Sequence, residues 1–331
     1  MNQRTFTAAA LPLAVRVAAF DARAAAPRAR AAAREAIIKA VGALMSGSGS
    51  AAAQWLAENA GARAASGPCL AAGTTRRVAM LDAALANGTA ASAGAHETGG
   101  GSGEGHAARF AALFALAEAR KLPGQRFHAA WLAGDAAAHS LASAAPTVAP
   151  GLATILATVA AASHLLCFDA AATAAALVLG ASTTNEADPE AAANGDALAT
   201  PLRAGQRARV ALQAVMLAEQ GETGAAAQLT QDDTLIEALA QAASTLGDIP
   251  DATPPAHLSC DTFVARCSRA IGTSEALALY ERLEAIDEAS DIALLGTLMA
   301  RRALPGAAGA SAPLALSTTP GDGSDETAWV P

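Results

Sequence analysis

Aromatic side chains are scarce in this chain: phenylalanine, tryptophan and tyrosine together make up 3% of its 331 residues. A core built from stacked rings is excluded, and the 53% hydrophobic content is mostly methyl groups, because roughly three residues in ten are alanine. Charge is also sparse, at 16% of residues, which excludes a solvated polyelectrolyte. A net charge of -8 and a pI near 5.3 argue against a broad nucleic-acid surface, which needs clustered cations to displace counterions. Small anions remain within reach of local arginines.

Cysteine is limited to four residues, Cys69, Cys167, Cys260 and Cys267, with no CxxC pair. That excludes a disulfide scaffold, and the expectation is reduced, mostly buried thiols in the cytoplasm. Near the N-terminus, Arg16, Asp21 and Arg23 interrupt the apolar stretch before a signal-peptide core is complete. The uncharged run Thr147 to Phe168 has the length of a membrane span, yet it contains Pro150 and His164 and lacks flanking Lys or Arg anchors. It reads as a helix buried in a soluble protein, without membrane contact.

What is present is helical punctuation. Pro27 opens a segment to about Met45 that Gly47 and Gly49 stop, with proline early and glycine late. Arg76 to Ala95 and His106 to Lys121 read as helices separated by the loop Gly99 to Gly105. A turn at Leu122, Pro123 and Gly124 precedes a helix through Trp131 to Leu141. Gly151 to Leu166 and Asp169 to Leu179 read as a buried hairpin with Asp169 as N-cap, Thr183 to Thr200 as a polar loop, and Leu202 to Ala218 as helix again. From a cap at Thr273 or Ser274, the residues Leu279, Leu283, Ile286, Ile292, Leu295 and Leu298 form the clearest amphipathic stripe, which reads as core packing. Beyond Leu304 the composition shifts to Gly, Pro, Ser, Thr and Asp. The expectation is an all-α domain over residues 1–302 and a disordered tail over 303–331.

Several segments together resemble the 2-methylcitrate dehydratase (MmgE/PrpD) family, which includes cis-aconitate decarboxylase and iminodisuccinate epimerase. The carrying residues are Pro27 to Gly47 (PRARAAAREAIIKAVGALMSG), Ala83 to Ala91 (AALANGTAA), Phe110 to Gly124 (FAALFALAEARKLPG), Pro150 to Gly180 and Pro201 to Gly224. The resemblance implies a large helical domain, a smaller α+β lid with the active site between the two, and a homodimer. Here the segment Pro254 to Leu258 leads through Phe263 to Ile271 almost directly into the helix beginning near Thr273, so most or all of the lid is expected to be deleted.

The resemblance also implies acid–base chemistry next to a carbonyl-type carbon of a small polycarboxylate, without a cofactor. Most of the family's groups are replaced: Ser92 stands for a histidine, Ala95 for an aspartate, Glu97 and Thr98 for a later acidic pair, Val148 for a second histidine and Thr200 for a lysine. His106 matches a family histidine. What remains is the polar cluster His96-Glu97-Thr98 and Glu104-Gly105-His106, joined by glycines. His106 is the candidate proton donor or acceptor, with His96 and Glu97 as partners. Arg203, with Ser92 and Thr98, is the candidate grip on a substrate carboxylate. The spacing matches no compact metal motif, and the glycine run lacks the lysine of a P-loop. Two functions follow from these residues: a diverged lyase or isomerase acting on a small acidic organic molecule, or a noncatalytic helical binding or assembly module.

Overall fold

Alanine and glycine let helices approach closely, and the molecule is built on such approaches. The computed structural model describes residues 4–60, 67–97, 103–144, 148–182, 199–222, 233–246 and 257–301. Its helices in chain order are α1 (Arg4–Ala18), α2 (Pro27–Gly47), α3 (Ala51–Ala60), α4 (Met80–Glu97), α5 (Gly103–Arg120), α6 (Gly124–Ala144) and α7 (Pro150–Leu165). They continue as α8 (Ala170–Ser182), α9 (Ala199–Glu219), α10 (Asp233–Thr245), α11 (Cys260–Ile271), α12 (Thr273–Glu284) and α13 (Ala293–Met299). The strands among the described residues are β1 (Cys69–Leu70) and β2 (Arg77–Val78), paired antiparallel. The fold is therefore all-α, and the chain between Leu258 and Thr273 is occupied by α11 rather than by an α+β unit.

Local chemistry sets the helix starts. Pro27 and Pro150 each occupy the first turn of a helix, where the absent N–H costs nothing. The Ala172 N–H donates to Asp169 Oδ1 at 2.8 Å, so Asp169 caps α8 as its position predicts. Several starts differ from the pattern in the sequence: α5 begins at Gly103, inside the loop expected over Gly99 to Gly105, and α9 at Ala199, inside the loop expected over Thr183 to Thr200. Arg77 and Val78 lie in β2, so the helix expected from Arg76 begins only at Met80. Gly272, at φ +93°, precedes α12 in place of a Thr273 or Ser274 cap. The chain turns there between two helices that pack on each other, in a conformation that favours glycine.

α4 lies against α2, α5 and α9, while α7 is enclosed by α5, α6, α8 and α9. The apolar residues of α7, including Ile155, Leu156, Val159 and Ala160, are thus buried inside one chain. This uncharged helix therefore needs no second subunit to cover it. Phe110, Phe114, Phe127, Trp131 and Phe263 are fully buried, and each contributes about 1.5–3 kcal/mol of transfer free energy. In the amphipathic stripe, Leu279, Leu283, Ile286, Ile292 and Leu295 are buried, but a 3₁₀ turn at Ile286–Glu288 divides it between α12 and α13. Among the described residues, no single helix is long and apolar enough to cross a membrane. The tail beyond Leu304 and residues 183–198 of the polar loop lie outside the described residues.

The Asn87-Gly88-Thr89 step is a scaffold device. Asn87 accepts from the Ala72 N–H and donates to the Leu70 carbonyl, both at 2.9 Å, and Thr89 Oγ1 donates to the Leu85 carbonyl at 2.9 Å. The buried carboxylate of Glu118 accepts from the Leu70 N–H at 2.8 Å and from Arg77 Nη2 at 2.7 Å, tying the strand pair to α5. Burial pushes the Glu118 carboxyl above the usual carboxylate range, against the pull of those two donors.

The thiols divide more evenly than their sequence context suggests: Cys69 and Cys267 are buried, Cys260 is half-buried and Cys167 is exposed. Burial pushes the Cys69 and Cys267 thiols up to about 12. Brief iodoacetamide treatment of the folded protein at mildly alkaline pH should accordingly label Cys167 and leave Cys69 and Cys267 unmodified by peptide mass spectrometry. Labelling of Cys69 at the Cys167 rate would contradict the packing of β1 against α5.

Candidate active site

His106 sits in the first turns of α5, where the side chain reaches across to α6. Its ring lies 5.5 Å from the Trp131 ring, and its Nε2 is 3.7 Å from Asp135 Oδ1. Trp131 and Asp135 are one turn apart on α6, and His106 and Arg109 are one turn apart on α5, so two helical repeats face each other. Arg109, whose side chain is 4% exposed, donates to Asp135 through Nη1 and lies 5.3 Å from the Trp131 ring centroid. The close approach depends on Gly134, where a Cβ would come within 2.9 Å of Arg109 Cδ.

Burial would raise the Asp135 carboxyl, but attraction to Arg109 and to His106 outweighs it and holds the group below the usual carboxylate range. Asp135 therefore stays ionised as a fixed negative partner for the imidazole. The His106 side chain is 39% exposed, so part of the ring is open to a small molecule. Trp131 Nε1 and Arg109 Nε are buried donors without an acceptor among the described residues. The arrangement sets a partly exposed imidazole beside a fixed carboxylate, the pair of groups on which general acid–base chemistry draws.

Arg203 lies on α9 and belongs to a second cluster. Its Nη2 donates to Thr200 Oγ1 at 2.9 Å, and its Nε is 3.9 Å from Glu104 Oε1, which also pairs with Arg207 Nη1 at 2.8 Å. Glu104 thus reaches from α5 to α9 while His106 reaches to α6, and the two clusters flank the same helix start.

The other sequence candidates fall at the end of α4. Ser92 is buried, His96 is exposed, Glu97 is the last residue of the helix, and Thr98 lies outside the described residues. The partners found for His106 are Asp135 and Trp131. Neither Asp135 nor Arg109 stands out in the sequence. Their only local signals are the i,i+4 step Trp131–Asp135 and the i,i+3 step His106–Arg109, and neither shows that the two helices meet.

Two further histidines have carboxylate partners that the sequence does not reveal. His128 Nδ1 is 2.8 Å from Asp287 Oδ1 and its Nε2 is 3.0 Å from the Arg30 carbonyl, while His257 Nδ1 is 2.8 Å from Glu35 Oε2. His128 is buried and pins α6 to the 3₁₀ turn, a structural task. Among the described residues, no group of three or more His, Cys, Asp or Glu side chains is placed to hold a metal ion.

By fold and site, the protein is an all-helical scaffold that presents a histidine, carboxylates and arginines around one helix start. The family model of the MmgE/PrpD N-terminal domain matches residues 12–245, and the chain belongs to that family. No curated protein matches the chain.

Proposed function

We propose that this protein is a diverged MmgE/PrpD-family enzyme that performs proton-transfer chemistry, of lyase or isomerase type, on a small carboxylate or related acid, with His106 as the acid–base group. The observation that carries this reading is the partly exposed His106 ring beside an Asp135 carboxylate that buried Arg109 keeps ionised. Asp135 supplies the charged partner for which the sequence offers His96 and Glu97. Those two residues remain proposed accessory groups, and Arg203, Ser92 and Thr98 the proposed substrate-side groups.

Incubation in D₂O with a panel of small di- and tricarboxylates and keto acids, followed by NMR, tests the proposal whatever the product is. At least one member should exchange a proton next to a carbonyl or carboxylate faster than it does in buffer. No exchange across the panel would remove the enzymatic reading. Ordinary 2-methylcitrate dehydration and cis-aconitate decarboxylation are expected to be absent. Ala95, Val148 and Thr200 cannot do what an aspartate, a histidine and a lysine do at those positions.

A noncatalytic binding or assembly role is the second reading, favoured by one observation: Glu104 already engages Arg203 and Arg207, so a ligand carboxylate must compete with an internal one. The family resemblance also motivates a homodimer, for which the exposed α1 residues Leu11 and Val15, one turn apart, offer apolar surface. Light scattering across micromolar concentrations should give twice the 32.6 kDa chain mass. A single-chain mass throughout would exclude the dimer.

A further inference from the structure

A cleft of about 580 Å³ opens between the end of α2, the start of α3, one face of α11 and the chain after α13, and none of the proposed acid–base residues lines it. Its lining includes Arg266, Arg269 and Arg301, together with Ser48, Ser50 and Gln54, and among the described residues no carboxylate lines it. Elsewhere in this acidic chain several arginines are ion-paired, Arg109 with Asp135, Arg34 with Asp287, Arg77 with Glu118 and Arg120 with Glu219, while Arg16, Arg76 and Arg126 donate to backbone carbonyls. Among the described residues, no carboxylate forms an ion pair with any of the three arginines of the cleft. Gathering three like charges is unfavourable in the absence of a counter-charge, so their company calls for an anion.

Each arginine is delivered by a defined piece of backbone. Arg266 and Arg269 are three residues apart on α11 and share a face. The backbone of Arg301 is fixed because its N–H donates to the Thr74 carbonyl at 3.1 Å, next to the Gly73 N–H that donates to the Met299 carbonyl at 3.0 Å. Ser50 precedes α3 and its Oγ accepts from the Ala53 N–H at 3.4 Å, capping the helix end that carries a partial positive charge. Ser48 donates its hydroxyl hydrogen to the Met45 carbonyl at 2.8 Å, so it lines the cleft as a fixed polar wall and the arginines supply the donors.

We infer that this cleft is a binding site for a small multivalent oxyanion, separate from the acid–base site proposed above. Guanidinium groups bind phosphate and carboxylate oxygens by the same forked geometry, and the volume accommodates a molecule carrying two or more such groups. Phosphate and carboxylate ligands are the two sources of that chemistry.

Calorimetric titration of the full-length protein with pyrophosphate and, separately, with citrate tests the inference. At least one anion should bind with a dissociation constant of about 1 mM or tighter, and which one does so identifies the source. Arg266→Gln and Arg269→Gln should each weaken that binding about tenfold, the loss expected of one charge-assisted contact. Arg23→Gln, an exposed arginine elsewhere, and His106→Ala should leave it unchanged. Weaker binding of both anions, or unchanged affinity in the Arg266 and Arg269 variants, would overturn the inference, as would loss of binding in His106→Ala. Should a variant fail to fold, the wild type still decides: the bound anion must protect Arg266 and Arg269 from phenylglyoxal as read by peptide mass spectrometry, and unprotected arginines would count against the site.

Discussion

Gly94→Val is expected to abolish stable folding, or to lower stability by more than about 3 kcal/mol in urea denaturation, because a Cβ at this position would overlap the Ala43 carbonyl group on α2. The obstruction is backbone, so no rotamer change relieves it. At the same crossing, a Cβ on Gly47 would strike the Ala90 carbonyl, which makes the α2–α4 contact tight from both sides. Widening it disturbs α4, and α4 also packs on α5 and α9. Gly49→Val, where a Cβ has open space, is the matched control and should cost far less. Equal denaturation midpoints for the two variants would mean that the helices do not approach as described.

The second large effect concerns His106. If exchange or turnover is found, His106→Ala should reduce it by at least about a hundredfold while helicity by circular dichroism is unchanged, the size expected for loss of a general acid or base. Asp135→Asn should also lower the rate, and it carries a separate signature in pH. Since the Asp135 carboxyl is held below its ordinary value in the folded state, ionised Asp135 stabilises the protein above that ordinary value. The contribution is lost as pH falls through the folded value, because only there does the native carboxylate take up its proton. Asp135→Asn should therefore flatten the acid side of the stability profile, whereas His106→Ala should alter it less. Normal turnover in His106→Ala would remove the residue from the mechanism.

Pro27, Pro150 and Asp169 act on their own helices, so local rules suffice to place them. Val78 has a helical context in the sequence, but the two-residue strand it joins is held by Glu118, far along the chain, and that coupling has no local signature. His106 is legible as a candidate and Asp135 is not, because the pair exists only once α5 and α6 cross. In the same way, Arg266 and Arg269 are visible as an i,i+3 pair, while Ser48 and Arg301 join them only through tertiary folding. Thr98 and the glycines that follow it are readable as part of a polar cluster, and Thr98 to Ser102 lie outside the described residues.

The two backbone bonds that join residues 299–301 to Gly73 and Thr74 make a stitch between chain regions remote in sequence. Neither segment can open without releasing the other, so the loop before α4 and the end of α13 form one cooperative unit. Formation of that unit must await closure of the long intervening chain, which assigns it to the late stages of folding. The α11 wall of the cleft packs on α2 across a comparable length of chain, so the cleft as a whole takes shape only at that stage.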